Sequence, residues 1–114
     1  MRILIIDDQA LRHESLYKNI EIEFEGSVQV HVWNQAQAVA EIKLGKFDFI
    51  FLDCDLGSGG SGYNTMVEMI RYVPQDNWPN RVVIHSRNPV EAKAVELLLT
   101  NQDITAYQRP FYTE

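Results

Sequence analysis

The chain contains three short runs that are almost wholly apolar, at residues 2–6, 47–52 and 81–84. Runs of this length are typical of strands, and strands that are apolar at consecutive positions are covered on both faces. Such coverage is characteristic of parallel sheets, because their crossover connections place helices above and below the strands. These runs therefore predict an α/β fold with buried parallel strands at its centre.

The segments between the runs carry the patterns of helices and of one exposed strand. Leu16, Ile20 and Phe24 recur every four residues, which predicts a helix over about residues 9–25. Apolar and polar residues alternate over residues 28–32, a pattern typical of a half-exposed strand. The second strand therefore belongs at an edge of the sheet, beside a buried first strand.

The later helices are marked by their ends. Asn34 is a good N-cap for a second helix, which Gly45 ends, and a third helix stops before Pro74. Asn88 and Pro89 have the cap and first-turn preferences that open a fourth helix. The expected buried face of that helix consists of Val90, Ala94, Leu97 and Leu98.

A fifth strand over about residues 104–107 completes the alternation of strands and helices. Right-handed crossovers and an exposed second strand favour a flavodoxin-like three-layer fold with strand order 2-1-3-4-5. The length suits one domain, residues 1–114. Only about seven residues follow the fifth strand, so we expect the last helix of such a fold to be missing.

A missing last helix would leave apolar surface uncovered beside Tyr107, Phe111 and Tyr112. An uncovered apolar strip favours association with another surface, and a two-fold dimer is the commonest arrangement. We therefore expect the domain to form a homodimer.

Composition argues against several classes of partner. The formal net charge is −6 and there is no run of lysine or arginine, which argues against binding to nucleic acid or to an anionic membrane surface. No apolar run is long enough to span a membrane. The lone cysteine, Cys54, fits a reducing compartment, so we expect a cytoplasmic protein.

Polar residues follow the predicted strands at the edge where such sheets bind ligands, beyond the carboxyl ends of the strands. They are Asp7 and Asp8 after the first strand, Asp53 and Asp55 after the third, His85 and Ser86 after the fourth, and Arg109 after the fifth. We expect these side chains to converge in one crevice, at the switch point between the first and third strands.

Clustered carboxylates need a cation, because like charges raise each other's pKa. The expected ion is Mg²⁺ or Mn²⁺, held by oxygen ligands from Asp7, Asp8, Asp53 and Asp55, the last through its backbone carbonyl. Two alternatives stay open. Asp7 or Asp8 can cap the first helix, and Asp55 can be a solvated loop residue.

The remaining strand-end groups suit a phosphoryl ligand. Ser86 can donate a hydroxyl hydrogen bond, and Arg109 can donate a two-pronged, charge-assisted one. A carboxylate such as Asp53 can act as a nucleophile towards phosphorus. His85 has the pKa range of a general acid or base, and a structural role at the strand end is the alternative.

This constellation resembles the receiver domain of two-component response regulators over nearly the whole chain. The acidic pair of that family corresponds to Asp7 and Asp8, its phospho-acceptor to Asp53, its hydroxyl residue to Ser86, and its Lys-Pro-Phe segment to "RPF" at residues 109–111. The resemblance implies Mg²⁺ binding and transfer of a phosphoryl group to Asp53 from a histidine kinase or a small phosphodonor. Arg109 departs from the family's lysine, and Tyr107 is displaced from its aromatic position.

A narrower resemblance rests on "LDCDLG" at residues 52–57, "GY" at 62–63 and "HSRNP" at 85–89. These motifs are similar to those of a divergent group described as cyclic-phosphate-processing receivers, in which histidine usually stands at the position of Cys54. This resemblance implies an alternative function, an enzyme or sensor for a small phosphorylated nucleotide. The same metal site would then act together with His85 as general acid or base.

Overall fold

The computed structural model of the 114-residue chain describes residues 1–109. Within that span the strands are β1 (Arg2–Ile6), β2 (Val28–Val32), β3 (Phe49–Asp53), β4 (Arg81–His85) and β5 (Thr105–Gln108). The helices are α1 (Ala10–Glu23), α2 (Gln35–Leu44), α3 (Gly62–Tyr72) and α4 (Pro89–Thr100), with short 3₁₀ turns at Gly57–Gly59 and Gln75–Asn77. The predicted strands and helices are therefore present in the predicted order.

The described strands form one parallel sheet in the order β2-β1-β3-β4-β5, which confirms the flavodoxin-like prediction. Helix α1 covers one face of the sheet, where Leu16 and Ile20 pack on Ile3, Ile5 and Phe51. Helices α2, α3 and α4 cover the opposite face. Within residues 1–109 no helix follows β5, and none is long and apolar enough to cross a lipid bilayer.

The register of the sheet determines which residues meet at its carboxyl edge. Ile6 of β1 pairs with Leu52 of β3, so Asp7 lies beside Asp53 one position further along. Asp53 in turn pairs with His85 of β4. Because side chains alternate between faces along a strand, these three side chains continue the rows that face α1. The strand ends therefore present a row of polar groups across the sheet.

The predicted caps are confirmed, but the predicted buried face of α4 is wrong at three of its four positions, since only Leu98 is half-buried and packs on the core. The Asn34 side chain accepts a hydrogen bond from the backbone N–H of Gln37 at 2.8 Å, and Asn88 caps α4. In α4 the buried residues are Ala92, Val95 and Leu99, whereas Val90 is 77% and Leu97 49% exposed. Apolar residues occur on more than one side of this helix, so hydrophobicity alone selected the wrong stripe.

The observed buried face of α4 predicts that replacing two of its leucines lowers the free energy of unfolding by different amounts. We expect Leu99→Ala to lower the free energy of unfolding by about 3 kcal/mol, because it leaves a cavity in the core. Leu97→Ala is the matched control and should change it by less than about 0.5 kcal/mol. Urea denaturation of the two variants measures the difference, and equal losses would contradict this packing.

The predicted homodimer involves residues beyond the described ones. Phe111 and Tyr112 lie outside residues 1–109. Tyr107 is half-buried and packs on the α1-facing side of the sheet, in the same apolar cluster as Phe24 and Phe49. Self-association through this region therefore stays a prediction.

Candidate functional site

Among the described residues, three aspartates bring carboxylate oxygens within 4.8 Å of one another at the carboxyl edge of the sheet. They are Asp7, Asp8 and Asp53. Asp7 and Asp53 are buried, with 1% and 4% of their surface exposed, and Asp8 is partly exposed. The strands place these groups, because Asp53 ends β3 and the aspartate pair directly follows β1. Their separation is short enough for one cation to contact all three.

Backbone amides hold the buried carboxylates in place. Gln9 is the residue directly before α1, and its N–H donates a hydrogen bond to Oδ1 of Asp7 at 2.9 Å. Oδ1 of Asp53 accepts a longer one from the N–H of Asp55, at 3.4 Å. The N-cap of α1 is Gln9, without a side-chain cap hydrogen bond, so the predicted alternative of Asp7 or Asp8 as the cap is wrong. Asp7 belongs to the acidic cluster and holds the backbone just before the helix.

Arg12 completes the cluster, and the sequence interpretation missed it. Its Nε donates to Oδ2 of Asp7 at 2.8 Å, and its Nη2 donates to Oδ2 of Asp53 at 3.1 Å. The same Nη2 lies 3.6 Å from Oδ1 of Asp8. The available signal was the spacing, because a cation four residues after Asp8, on the first turn of a predicted helix, lies over the acidic pair.

His13 is the second residue that sequence reasoning missed. It is buried in α1, and its Nε2 donates to the backbone carbonyl of Asp7 at 2.7 Å. Its Nδ1 lies 2.6 Å from Nδ1 of His31 on β2. Together these two contacts of His13 connect the end of β1 to α1 and to the edge strand β2, so they support the position of Asp7.

Burial and like charge act together on Asp53. The pKa of this carboxyl is raised to about 7, chiefly by desolvation and also by the neighbouring Asp7 carboxylate, while the Arg12 guanidinium opposes the rise. Near neutral pH the metal-free carboxyl is therefore partly protonated. A divalent cation would favour the charged form, since it would offset both the burial and the repulsion between the acids.

Asp55 lies in the loop that follows β3, and its side chain makes a local contact. Its Oδ1 accepts a hydrogen bond from the N–H of Gly57 at 2.9 Å. Gly57 has φ +60°, and a Cβ there would lie 3.2 Å from Oδ2 of Asp8. The side chain of Asp55 is thus a turn-forming group beside the cluster, and coordination through its backbone carbonyl remains a prediction.

The glycine-rich loop packs against its surroundings. A Cβ at Gly59 would lie 2.8 Å from Cβ of Asn34 at the start of α2. A Cβ at Gly62 would lie 2.6 Å from the carbonyl oxygen of Asp53 and 3.0 Å from Cα of Cys54. The N–H of Gly62 also donates to the carbonyl of Cys54 at 2.9 Å. Close approach at Gly62 therefore fixes the start of α3 against the end of β3.

His85 is buried beside Asp53. Its ring stacks on Phe51 with centroids 5.7 Å apart, and its Nδ1 donates to the carbonyl of Arg109 at 3.1 Å. Burial lowers the pKa of His85 to about 4. The imidazole is therefore neutral at physiological pH, with one ring nitrogen joining the ends of β4 and β5.

Ser86 and Asn88 form a turn before α4. The hydroxyl of Ser86 accepts a hydrogen bond from the N–H of Asn88 at 3.0 Å, and Asn88 Oδ1 accepts from the N–H groups of Val90 and Glu91. Burial raises the pKa of the neighbouring Cys54 thiol to about 11, although a hydrogen bond with Ser86 opposes the rise. Cys54 is therefore an unionised, buried packing residue.

Arg109 is placed differently from the strand-end cation that the sequence predicted. Its backbone N–H donates to Ile84 at 2.9 Å, which extends the pairing of β4 and β5. Its guanidinium makes two hydrogen bonds to Glu23 at the end of α1, of 3.2 and 3.1 Å. The arginine that the structure places against the three carboxylates is thus Arg12.

A cleft of about 500 Å³ opens onto these groups, a size typical of sites for small ligands. Its walls include Asp8, Arg12, Asp53, Asp55, Ser86 and Arg87. The cleft thus carries oxygen donors for a hard cation, together with hydroxyl and guanidinium groups that can donate to an anion. This donor set fits a divalent metal accompanied by a phosphorylated ligand.

A family model described as the cyclic-phosphate processing receiver domain matches residues 2–101. The chain belongs to this family. The sequence resemblance to that group is therefore confirmed, and the acidic triad of this receiver domain is of the type found at receiver Mg²⁺ sites. Comparison with curated proteins gives no significant match.

Solved structures of receiver domains share the fold at low sequence identity. A CheY-like receiver domain from Methylobacillus flagellatus has a TM-score of 0.75 and 17% identity, over 100% of this chain and 88% of that one. The response regulator TrrA from Thermotoga maritima, in complex with Mg²⁺-BeF, has a TM-score of 0.74 and 19% identity, over 98% and 88%. TrrA bound to the histidine kinase ThkA has a TM-score of 0.67 and 19% identity, over 98% and 88%.

Proposed function

We propose that this receiver domain binds Mg²⁺ or Mn²⁺ and accepts a phosphoryl group on Asp53, from a histidine kinase or a small phosphodonor. The observation that carries the proposal is the position of Asp53, at the end of a central strand and on the wall of a cleft, within 4.8 Å of two further carboxylates. Asp7, Asp8 and Asp53 would hold the metal, with the backbone carbonyl of Asp55. The ion would neutralise charge on the phosphoryl oxygens.

The chemical step would be a displacement at phosphorus. An oxygen of the Asp53 carboxylate would attack, and the bond from phosphorus to the donor atom would break. That atom is oxygen in acetyl phosphate, which leaves as acetate, and a ring nitrogen in a phosphohistidine, which leaves as histidine. Ser86 lies in the same cleft and can donate a hydrogen bond to the transferred group once its hydroxyl turns from the carbonyl of Asn88, to which it donates at 3.2 Å. Arg109 can contribute only after its guanidinium leaves Glu23, so we expect slower transfer than lysine would allow.

Two of the similar structures support this reading through what they contain. TrrA was crystallised in complex with Mg²⁺-BeF and, separately, with the histidine kinase ThkA. Receivers of this fold thus form complexes with histidine kinases, and a kinase is the partner we propose for this chain. A small phosphodonor requires only access to Asp53, which the cleft provides.

A second candidate function is favoured by the family itself, which is described by cyclic-phosphate processing. In this alternative, the metal and the cleft would bind a small phosphorylated nucleotide, and Asp53 would serve as nucleophile or base. His85 would be the acid-base group, in a neutral form because burial lowers its pKa to about 4. It is 1% exposed and lies behind the described residues that line the cleft, so this function also requires the site to open towards its ring. The size of the cleft is compatible with such a ligand.

Intact mass after incubation with Mg²⁺ and acetyl phosphate tests the first function. We expect the wild type to gain the mass of one phosphoryl group, which hydroxylamine removes, since an acyl phosphate is electrophilic. Asp53→Asn should show no gain, whereas Asp55→Asn, the control in the adjoining loop, should still show it.

The same sample separates the two functions. Suppose that no phosphodonor adds mass, yet a cyclic nucleotide is bound or opened in the presence of Mg²⁺ and His85→Ala stops this. That result would contradict phosphoryl transfer to Asp53 and support the nucleotide reading. A phosphorus NMR spectrum of the cyclic nucleotide during incubation reports opening of the ring directly.

A further inference from the structure

The Arg12 guanidinium occupies the space between the acids. It binds Oδ2 of Asp7 and Oδ2 of Asp53, at 2.8 and 3.1 Å. The other oxygen of each of these carboxylates accepts a backbone N–H, from Gln9 and Asp55 respectively. Arg12 therefore engages the carboxylate oxygens of Asp7 and Asp53 that these backbone amides leave available.

A divalent cation at this cluster would compete directly with Arg12. Mg²⁺ and Mn²⁺ need carboxylate oxygens at close range, and two cations cannot share those oxygens without strong repulsion. Arg12 is on the first turn of α1, with 24% of its side chain exposed, and it lines the cleft. A displaced guanidinium would remain near the cleft, because the Arg12 side chain is attached to α1 at the wall of the cleft.

A displaced guanidinium at this position would meet any anion bound at the metal. Guanidinium groups bind phosphate oxygens with two parallel hydrogen bonds, so Arg12 is well suited to a phosphoryl ligand. The arginine at the family's lysine position, Arg109, makes two hydrogen bonds to Glu23 instead. Arg12 thus supplies a cation within the cleft itself.

We propose that Arg12 exchanges partners, pairing with Asp7 and Asp53 in the metal-free domain and with the anionic oxygens of a phosphoryl ligand once the metal is bound. The proposal rests on the metal and phosphoryl binding proposed above, but not on the transfer step. It makes Arg12 an inhibitor of metal binding and a promoter of anion binding at the same site. A purely structural residue would affect both ligands in the same direction.

The test measures two affinities in one variant. Arg12→Met keeps a flexible chain and removes the charge, and Lys18→Met removes an exposed positive charge from the same helix as a control. Calorimetric titration with Mn²⁺ should show about tenfold tighter binding to Arg12→Met than to the wild type. Titration with beryllium fluoride at saturating Mg²⁺ should show about tenfold weaker binding. Lys18→Met should match the wild type in both titrations.

Melting temperatures of the wild type and Arg12→Met show whether the variant is folded under the conditions of the titrations. Without metal, Arg12→Met should melt at a lower temperature than the wild type, because three acids lose their counterion, and Mn²⁺ should remove the difference. Weaker or unchanged Mn²⁺ binding by Arg12→Met would overturn the exchange, as would unchanged binding of beryllium fluoride. Opposite shifts of the two affinities would support it even if acetyl phosphate never modifies Asp53.

Discussion

Replacing Asp8 and Asp53 together with asparagine will weaken Mg²⁺ or Mn²⁺ binding by at least about a hundredfold. The reason is the composition of the cluster. The double variant removes two of the three carboxylates that lie within 4.8 Å of one another. Neutral amide oxygens bind a hard divalent cation more weakly than carboxylate oxygens do. Isothermal titration calorimetry of wild type and variant measures the loss.

The loop variant Asp55→Asn is the matched control for that loss. Its side chain accepts the N–H of Gly57, and we propose a role in coordination only for its backbone carbonyl. Metal affinity should therefore stay within about threefold of the wild type. Equal affinities for the wild type and the Asp8→Asn, Asp53→Asn variant would show that the ion, if it binds at all, binds elsewhere.

The metal-free domain will lose stability as the pH rises from about 4 to about 7, through the titration of Asp53. Burial raises the pKa of this carboxyl to about 7, from an ordinary value of 3.8. The folded state therefore binds the proton more tightly than the unfolded state does. The resulting stabilisation is complete below the ordinary pKa and is lost as the pH passes through the raised one.

Asp53→Asn isolates this effect from other titrations. Burial lowers the pKa values of His31 and His85 to about 4, so these residues favour the folded state above their ordinary pKa and lose that contribution as the pH falls. Both histidines are present in wild type and variant, so their opposite contributions cancel in the comparison. We expect the variant to gain stability relative to the wild type between about pH 5 and about pH 8.

Urea denaturation at the two pH values, with and without Mg²⁺, measures this gain. Saturating Mg²⁺ should reduce the advantage of Asp53→Asn at the higher pH, because the ion binds the ionised carboxylate of the wild type. A difference between the two proteins that is the same at both pH values would contradict the raised pKa of Asp53.

The acidic cluster was predictable because its geometry follows from strand periodicity. Apolar runs identify the central strands, their order places β1 beside β3, and the residues that follow each strand then meet at one edge. Caps were predictable for a similar reason, since Asn34 and Asn88 satisfy local backbone amides within four residues. These features depend on short-range rules.

The full set of contacts of the two arginines was not predictable by such rules. The spacing from Asp8 places Arg12 near the acidic pair, but its contact with Asp53, 41 positions later, depends on the assembled sheet. Arg109 follows the predicted strand, but its long side chain reaches Glu23, 86 positions earlier in the sequence. Alternative partners of similar energy are available to a flexible cation, so its choice depends on the completed tertiary structure.

The close approach at Gly62 has a consequence for recognising such sites in other sequences. Any side chain there would collide with the carbonyl of Asp53, so a chain that keeps this strand end and this helix start has to keep glycine nine residues after the aspartate. The other glycines of the loop are constrained differently. Gly57 and Gly60 have positive φ values, and a Cβ at Gly59 or Gly60 would meet the side chain of Asn34 or Gln35, whereas a Cβ at Gly62 would meet backbone. An aspartate followed nine residues later by glycine is thus a pattern with a steric basis. It identifies such sites in other sequences more specifically than a high glycine content of the loop does.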